Sequence, residues 1–169
     1  MNLNSKNIYL IGMMGSGKST VGELLSKKMG MDFADIDSHI EKNRGQTVAQ
    51  IFATYGETHF RNLETKALKS PTDSIVACGG GIVLRNENRT FLRSNGIVVL
   101  LTAPLNELFR RVSDLSSRPL LNKAKDTKKT LNHIWKARKT QYINLAHFTI
   151  QTDGRTPEEV CNEIIDKVL

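Results

Sequence analysis

Cysteine, long apolar runs and acidic residues are all scarce in this chain, and each shortage excludes something. Two cysteines in 169 residues, Cys78 and Cys161, make neither a disulfide framework nor a metal site. Reduced thiols in a cytoplasmic protein are the expectation. The longest aliphatic run, Ile97 to Leu101, is five residues, against the roughly 20 that a membrane helix needs. The apolar stretch from Ile8 to Ile11 lacks the charged flank and cleavage-site pattern of a secretory leader. No internal repeat, low-complexity tract or linker divides the sequence, so its length reads as one domain with a full core. At 39% hydrophobic and 24% charged residues, the composition is that of an ordinary soluble protein.

The shortage of acid is local. The formal net charge is +7. Between Arg110 and Lys139, ten Lys/Arg face two Asp/Glu, whereas the remainder carries fourteen against fifteen. Such a segment reads as a nucleic-acid surface, a solvated helix face or a cover for a highly charged phosphate ligand. No aromatic stacking pattern accompanies the charges, which weighs against nucleic acid.

What is present decides the matter. Gly12-Met-Met-Gly15-Ser16-Gly17-Lys18-Ser19-Thr20 fits the P-loop pattern of glycine, four residues, then Gly-Lys-Ser/Thr. An apolar, β-favouring run from Asn7 to Ile11 precedes it. Val21, Leu24, Leu25 and Met29 follow at the spacing of a helix with one apolar face. Glycines let backbone N–H groups converge on an anion, and the helix N-terminus adds partial positive charge. Lys18 can reach the β/γ-phosphates, and the Ser19 hydroxyl can hold Mg²⁺. A nucleoside triphosphate site follows. It assigns the arginines of the basic segment to phosphate and its lysines mostly to solvent.

Along the chain, Gly30 is a helix stop, and Asp32 to Ile36 reads as a second strand. Asp35-Ile36-Asp37 sets two carboxylates on alternate positions, hence on one side of an extended chain. Ligands gather at the carboxyl ends of strands in open parallel sheets. Beside a P-loop, these acids suit a metal-bound water and a substrate hydroxyl better than a helix cap or turn. Residues 38–70 read as helix in pieces, punctuated by Gly45 and Gly56, with apolar residues at helical spacing read as packing. Arg61 lies one turn before Glu64. The two form either an ordinary surface pair or an arginine oriented to bind a carboxylate bidentately.

Ser74 to Ala77 is a third strand, ending in Cys78-Gly79-Gly80-Gly81. Three consecutive glycines carry a high entropic cost, which a ligand lying against bare backbone explains. A helix from Arg85 to Ser94 closed by Gly96, a strand from Ile97 to Leu101 and a helix from Pro104 follow. Residues 112–126 lose periodicity around Arg118-Pro119-Leu120-Leu121, a candidate lid. Thr127 to Tyr142 is helical, Phe148 to Gln151 is a fifth strand, and Thr156-Pro157 with Glu159 opens a last helix. Strands alternating with helices imply a parallel sheet covered on both faces.

These motifs together resemble the shikimate kinase family, relatives of the nucleoside monophosphate kinases. The resemblance rests on the P-loop, Asp35-Ile36-Asp37, Phe60-Arg61-Asn62-Leu63-Glu64, Gly79-Gly80-Gly81, Arg118-Pro119-Leu120-Leu121, Arg138-x-x-x-Tyr142, and Asp153 and Pro157. It covers essentially the whole chain. It implies a three-layer α/β/α P-loop kinase fold, with a five-stranded parallel sheet of order 2-3-1-4-5. A substrate-binding region at about 35–64 and a lid at about 112–125 are implied within that single domain. It also implies transfer of the γ-phosphoryl of ATP to the 3-hydroxyl of shikimate, in chorismate and aromatic amino acid biosynthesis.

By position, Asp37, Arg61, Gly79, Gly80, Gly81 and Arg138 would bind shikimate. Gly15, Ser16, Gly17, Lys18, Ser19, Thr20, Arg111, Arg118, Arg155 and Pro157 would bind ATP. Ser19 would ligate Mg²⁺, with Asp35 acting through water. Lys18, Asp37 and Arg118 would carry the chemistry, Asp37 either orienting the hydroxyl or accepting its proton. A monomer without nucleic-acid or membrane partners is expected. The sequence departs from the family at Cys78, where many relatives have a hydroxyl residue, and a thiol is the weaker hydrogen-bond partner. A gluconate-type kinase and a nucleotide-dependent nucleic-acid-binding protein are the competing readings. The Asp-Ile-Asp and triple-glycine set favours shikimate over gluconate.

Overall fold

A computed structural model of the chain describes residues 7–113 and 126–169. Its centre is a five-stranded sheet of order β2-β3-β1-β4-β5, every pair parallel. The strands are β1 Asn7–Ile11, β2 Asp32–Asp35, β3 Ser74–Ala77, β4 Gly96–Thr102 and β5 Phe148–Gln151. Among the described residues seven α-helices surround them: α1 Lys18–Met29, α2 Ile36–Arg44, α3 Val48–Leu68, α4 Asn86–Asn95, α5 Leu105–Ser113, α6 Thr127–Leu145 and α7 Pro157–Val168. A short 3₁₀ turn spans Ile82–Leu84. No described helix is long and apolar enough to cross a membrane.

The two cores follow from the period of two in a strand. In β1, Tyr9 and Ile11 point into one layer with Ile36, Phe60, Val76, Leu100 and Tyr142. Ile8 and Leu10 point into the other, with Leu25, Ile75, Val99, Ile150 and Ile164. All five β1 residues are buried, as a central parallel strand covered on both faces requires. The order 2-3-1-4-5 puts β1 between β3 and β4, so the loops after β1 and β3 emerge side by side.

Local chemistry sets the helix ends. Thr47 and Thr156 both form full capping boxes, with Gln50 and Glu159 respectively. Gly30 and Gly45 end α1 and α2 in the left-handed conformation. α3 runs on across Gly56, whose φ of 80° and ψ of 171° break the helix into two arms. This realises the punctuation expected there.

Two expectations are corrected. The second strand stops at Asp35, not Ile36, because the Asp35 carboxylate accepts the Ser38 N–H at 3.1 Å and caps α2. The two acids of Asp35-Ile36-Asp37 therefore do not lie on one side of an extended chain: one is a cap, the other a first-turn helical residue. The fourth strand begins one residue before Ile97: Gly96 does close α4 as its C-cap, but it is also the first residue of β4, opposite Asn7. Its φ of 175° is ordinary extended backbone; glycine is needed because a Cβ there would lie 2.2 Å from the Asn7 carbonyl oxygen.

Two substitutions separate these reasons for glycine. Gly45→Ala meets no neighbour within 4 Å and only strains a φ of 63°, so it should cost roughly 1 kcal/mol. Gly96→Ala should cost roughly 3 kcal/mol, the upper end of overpacking penalties. Urea denaturation reads both, and equal losses would contradict the steric account of Gly96.

Candidate functional site

β1 and β3 each deliver a glycine-rich loop to the same cavity. It is lined by Gly15, Gly17, Lys18, Ser19 and Thr20 from the first loop and Cys78, Gly79, Gly80 and Gly81 from the second. Asp35, Asp37, Arg61, Glu64, Arg111 and Arg138 complete the polar wall, and the cavity volume is about 540 Å³. A volume of this order is that of a small-molecule site.

The first loop turns sharply at Gly12, with φ of 143°, and a Cβ there would lie 2.3 Å from the Leu101 carbonyl oxygen. Ser16 is fully buried beneath the loop, where its N–H donates to the Met13 carbonyl at 3.2 Å. Lys18 Nζ donates to the Gly12 and Met13 carbonyls at 3.0 and 2.9 Å, so its charge sits at the loop's mouth. Ser19 Oγ donates to Asp35 Oδ2 at 2.6 Å. One carboxylate thus caps α2 and holds the hydroxyl at the head of α1.

Two further arginines line the cavity, Arg61 and Arg138, each 7% exposed. Arg61 Nη1 donates to Glu64 Oε2 at 2.9 Å, and its Nε and Nη2 reach Glu57 Oε1 at 3.2 and 3.1 Å. Its guanidinium carbon lies 5.9 and 5.4 Å from the ring centres of Phe52 and Phe60. The pair is therefore not the surface contact that spacing alone allows. Glu64 is fully buried, and burial pushes its carboxyl up to about 7 despite the lowering by Arg61. For Arg61, burial lowers, but the Glu64 and Glu57 carboxylates outweigh it and the net shift is upward. The arginine keeps its charge.

The second glycine loop touches all of this. A Cβ on Gly79 would lie 2.7 Å from Glu64 Oε1 and 2.9 Å from Asp37 Oδ1, and one on Gly81 would overlap the Arg61 guanidinium at 2.2 Å. Only bare backbone fits. Arg138 Nη1 donates to the Gly80 carbonyl at 3.1 Å. Cys78 is fully buried against the same wall; burial first, and the nearby Glu64 carboxylate, raise its thiol far above the ordinary range, so it stays a neutral thiol.

Most of the expected site residues converge. Gly15, Gly17, Lys18, Ser19, Thr20, Asp35, Asp37, Arg61, Gly79, Gly80, Gly81, Arg111 and Arg138 line one cavity. Arg111 bridges Gly15 and the end of β5, donating to the Gly15 carbonyl at 3.2 Å and to Thr152 Oγ1 and its carbonyl at 3.0 and 3.1 Å. Arg155 and Pro157 lie away from the cavity lining, at the start of α7, where Arg155 bonds Gln151, Glu159 and Glu163. Arg118 and most of the expected lid fall outside the described residues. Of the basic segment, Lys128, Lys129, Lys136 and Lys139 are exposed, as expected; the arginines do not all turn to the phosphate loop, since Arg138 is buried against Gly80 and Arg110 is exposed and paired with Glu107. The sequence reading passed over Glu41, Val48, Phe52 and Phe60 as cavity residues. Helical periodicity marks such apolar positions as core and cannot tell a core from a cavity wall.

A family model described as Shikimate kinase matches residues 14–169. A shikimate kinase of Thermodesulfovibrio yellowstonii is 41% identical over 163 residues, covering 95% of this chain and 93% of that protein. One from Persephonella marina is 40% identical over 166 residues, covering 96% and 99%. Among solved structures, shikimate kinase from Acinetobacter baumannii in complex with shikimate superposes with a TM-score of 0.93 at 36% identity, over 96% of this chain and 92% of that one. Sequence, fold and cavity agree: this chain belongs to the shikimate kinase family.

Proposed function

We propose that this chain transfers the γ-phosphoryl group of ATP to the 3-hydroxyl of shikimate, releasing shikimate 3-phosphate and ADP, a step of chorismate and aromatic amino acid biosynthesis. One observation carries the reading: a phosphate-binding loop and two buried arginines line a single cavity. The similar Acinetobacter baumannii enzyme, solved in complex with shikimate, supports the identity of the acceptor.

The chemistry asks mainly for alignment and charge neutralisation. The N–H groups from Gly15 to Thr20 and the Lys18 ammonium hold the phosphates, Lys18 leaving its loop carbonyls to follow the transferring group. Arg111 steadies the loop from the nucleotide side. Arg118, Arg155 and Pro157 complete the nucleotide contacts, Arg118 from the lid at about 112–125. Arg61 and Arg138 take the shikimate carboxylate, with Gly79, Gly80 and Gly81 against its ring. Asp37 accepts the hydrogen bond of the 3-hydroxyl and takes its proton as the new O–P bond forms. The old P–O bond breaks, and ADP leaves with the electron pair.

Ser19 Oγ and the Asp35 carboxylate are hard oxygen donors at the loop's edge, and they fit a Mg²⁺ ion that draws its other ligands from phosphate and water. Such an ion neutralises phosphate charge when bound. Two buried free thiols suit a cytoplasmic setting.

A coupled ADP-release assay with shikimate and gluconate tests the proposal; turnover of gluconate alone would overturn it. Lys18→Ala should lower kcat by roughly a hundredfold or more, as loss of one transition-state charge contact does. Arg138→Ala should raise the shikimate KM by about 10- to 150-fold, the equivalent of roughly 1.5–3 kcal/mol for a charged hydrogen bond. Arg61→Ala should do the same and also destabilise the fold by roughly 3–5 kcal/mol, because it strands Glu64. An unchanged shikimate KM in both arginine variants would remove them from the site.

Glu64 supplies a pH test. Its folded pKa, about 7, exceeds its ordinary 4.5. Stability from this group is thus full below 4.5 and lost as pH rises through 7. An acceptor carboxylate at Arg61 adds negative charge nearby and raises that pKa further. Shikimate binding near neutral pH should therefore take up a fraction of a proton. Calorimetry in buffers of different ionisation enthalpy reads the uptake. It should vanish in Glu64→Gln, and equal uptake in both proteins would exclude Glu64 as the group involved.

A further inference from the structure

Gly79 to Ile82 form a β-turn, closed by the Ile82 N–H donating to the Gly79 carbonyl at 3.0 Å. Gly81, the third residue, has φ of −92° and ψ of 0°, the values of a type I turn. A type II turn differs by rotating the central peptide half a turn, and needs a positive φ at that third residue. Glycine meets this without steric cost. With glycine at both central positions, the chain itself hardly chooses between the two. The choice matters, because the central peptide joins Gly80 to Gly81 in the cavity wall. In one orientation it turns an N–H edge toward an anionic acceptor, in the other a carbonyl oxygen.

Two donors from α6 meet that peptide. Arg138 Nη1 reaches the Gly80 carbonyl at 3.1 Å, and the Tyr142 hydroxyl donates to the same oxygen through a short hydrogen bond. Tyr142 is wholly buried, its ring stacked on Trp135 with centres 6.2 Å apart. A phenylalanine would fill that space without burying a hydroxyl, so the hydroxyl needs its partner. Burial pushes its pKa up to about 12 against the lowering by Arg138, so it remains a donor across the working range. Arg138 is also the arginine proposed for the acceptor carboxylate; its five N–H donors allow both contacts, but its position then follows the ligand, whereas Tyr142 answers only to the Gly80 carbonyl.

We infer that Tyr142 is a positioning residue: its hydroxyl locks the Gly80–Gly81 peptide in the type I orientation and so holds the Gly81 N–H toward the acceptor. The C=O and N–H of a trans peptide point in opposite directions, so fixing the carbonyl on α6 fixes the N–H on the other side. With or without a ligand at Arg138, loss of the Tyr142 bond leaves the carbonyl one donor instead of two, and the peptide is free to turn. The kinetic consequence rests on the acceptor proposed above; the lock itself does not.

The test is Tyr142→Phe, which keeps the ring. With each substrate varied separately, the shikimate KM should rise about tenfold, matching one hydrogen bond of roughly 1.4 kcal/mol. The ATP KM should stay within about twofold, since no nucleotide contact changes. In the substrate-free protein, ¹⁵N relaxation dispersion at the Gly81 amide should show exchange in the variant and none in the wild type. Leu145→Ala, buried in the same helix, should lower stability and leave the ratio of the two KM values unchanged. A variant with wild-type shikimate KM, an equal rise in both KM values, or no exchange at Gly81 would overturn the inference. Dispersion needs no shikimate, so exchange at Gly81 in a protein whose wild type ignores shikimate would support the lock and sink the functional reading instead.

Discussion

One backbone hydrogen bond governs how the site is assembled. The Cys78 N–H donates to the Leu10 carbonyl at 3.0 Å, extending the β1–β3 pairing one residue beyond the end of β3. The two glycine loops therefore leave the sheet side by side and at the same height. A Cβ on Gly80 would lie only 3.6 Å from the Gly12 carbonyl oxygen. Parallel pairing with β1 in the centre achieves this with no contact between the loops' side chains. Everything else in the cavity is hung from that edge, α2 and α3 on one side and α5 and α6 on the other.

The electrostatics are arranged as two separate positive poles. Lys18 lies at the first glycine loop, and Arg61 and Arg138 lie against the second. The intervening acids, Asp35, Asp37 and Glu64, keep the poles from repelling each other while the cavity is empty. Glu64 is the most costly of these to bury. Burial raises its carboxyl while Arg61 lowers it, so desolvation and pairing oppose each other at this group. The exposed lysines of α6 add to the +7 net charge without entering this arrangement.

Much of the fold was legible in the sequence because local signals agreed with one another. The strand boundaries of β1, β3 and β5 match those read from apolar runs, and the Thr156 capping box stands as read. Asp35 was misread because its side chain decides between strand and helix through one capping bond that spacing does not reveal. Gly96 was legible as the end of α4, but not the reason for glycine there, which answers a neighbour from β1, distant in sequence, and not its own dihedral angle. At the site, Gly79–Gly81 and Arg138 were legible as residue types whose cost demanded a purpose. Phe52 and Phe60 were not, since an apolar wall and an apolar core share the same period. Tyr142 was visible as part of a motif, but its bond to the Gly80 carbonyl arises only when α6 packs beside the second glycine loop.

The break in α3 at Gly56 divides labour within a single helix. The inner arm carries Arg61 and Glu64, and these are tied to the sheet-side core. The outer arm carries Val48 and Phe52, which line the cavity together with Glu41 of α2. A change at Val48 alters the cavity wall without touching the Arg61–Glu64 pair, whereas Phe52 also packs its ring against the Arg61 guanidinium. New acceptors can thus be sampled at Val48, with the anion-binding centre inherited unchanged.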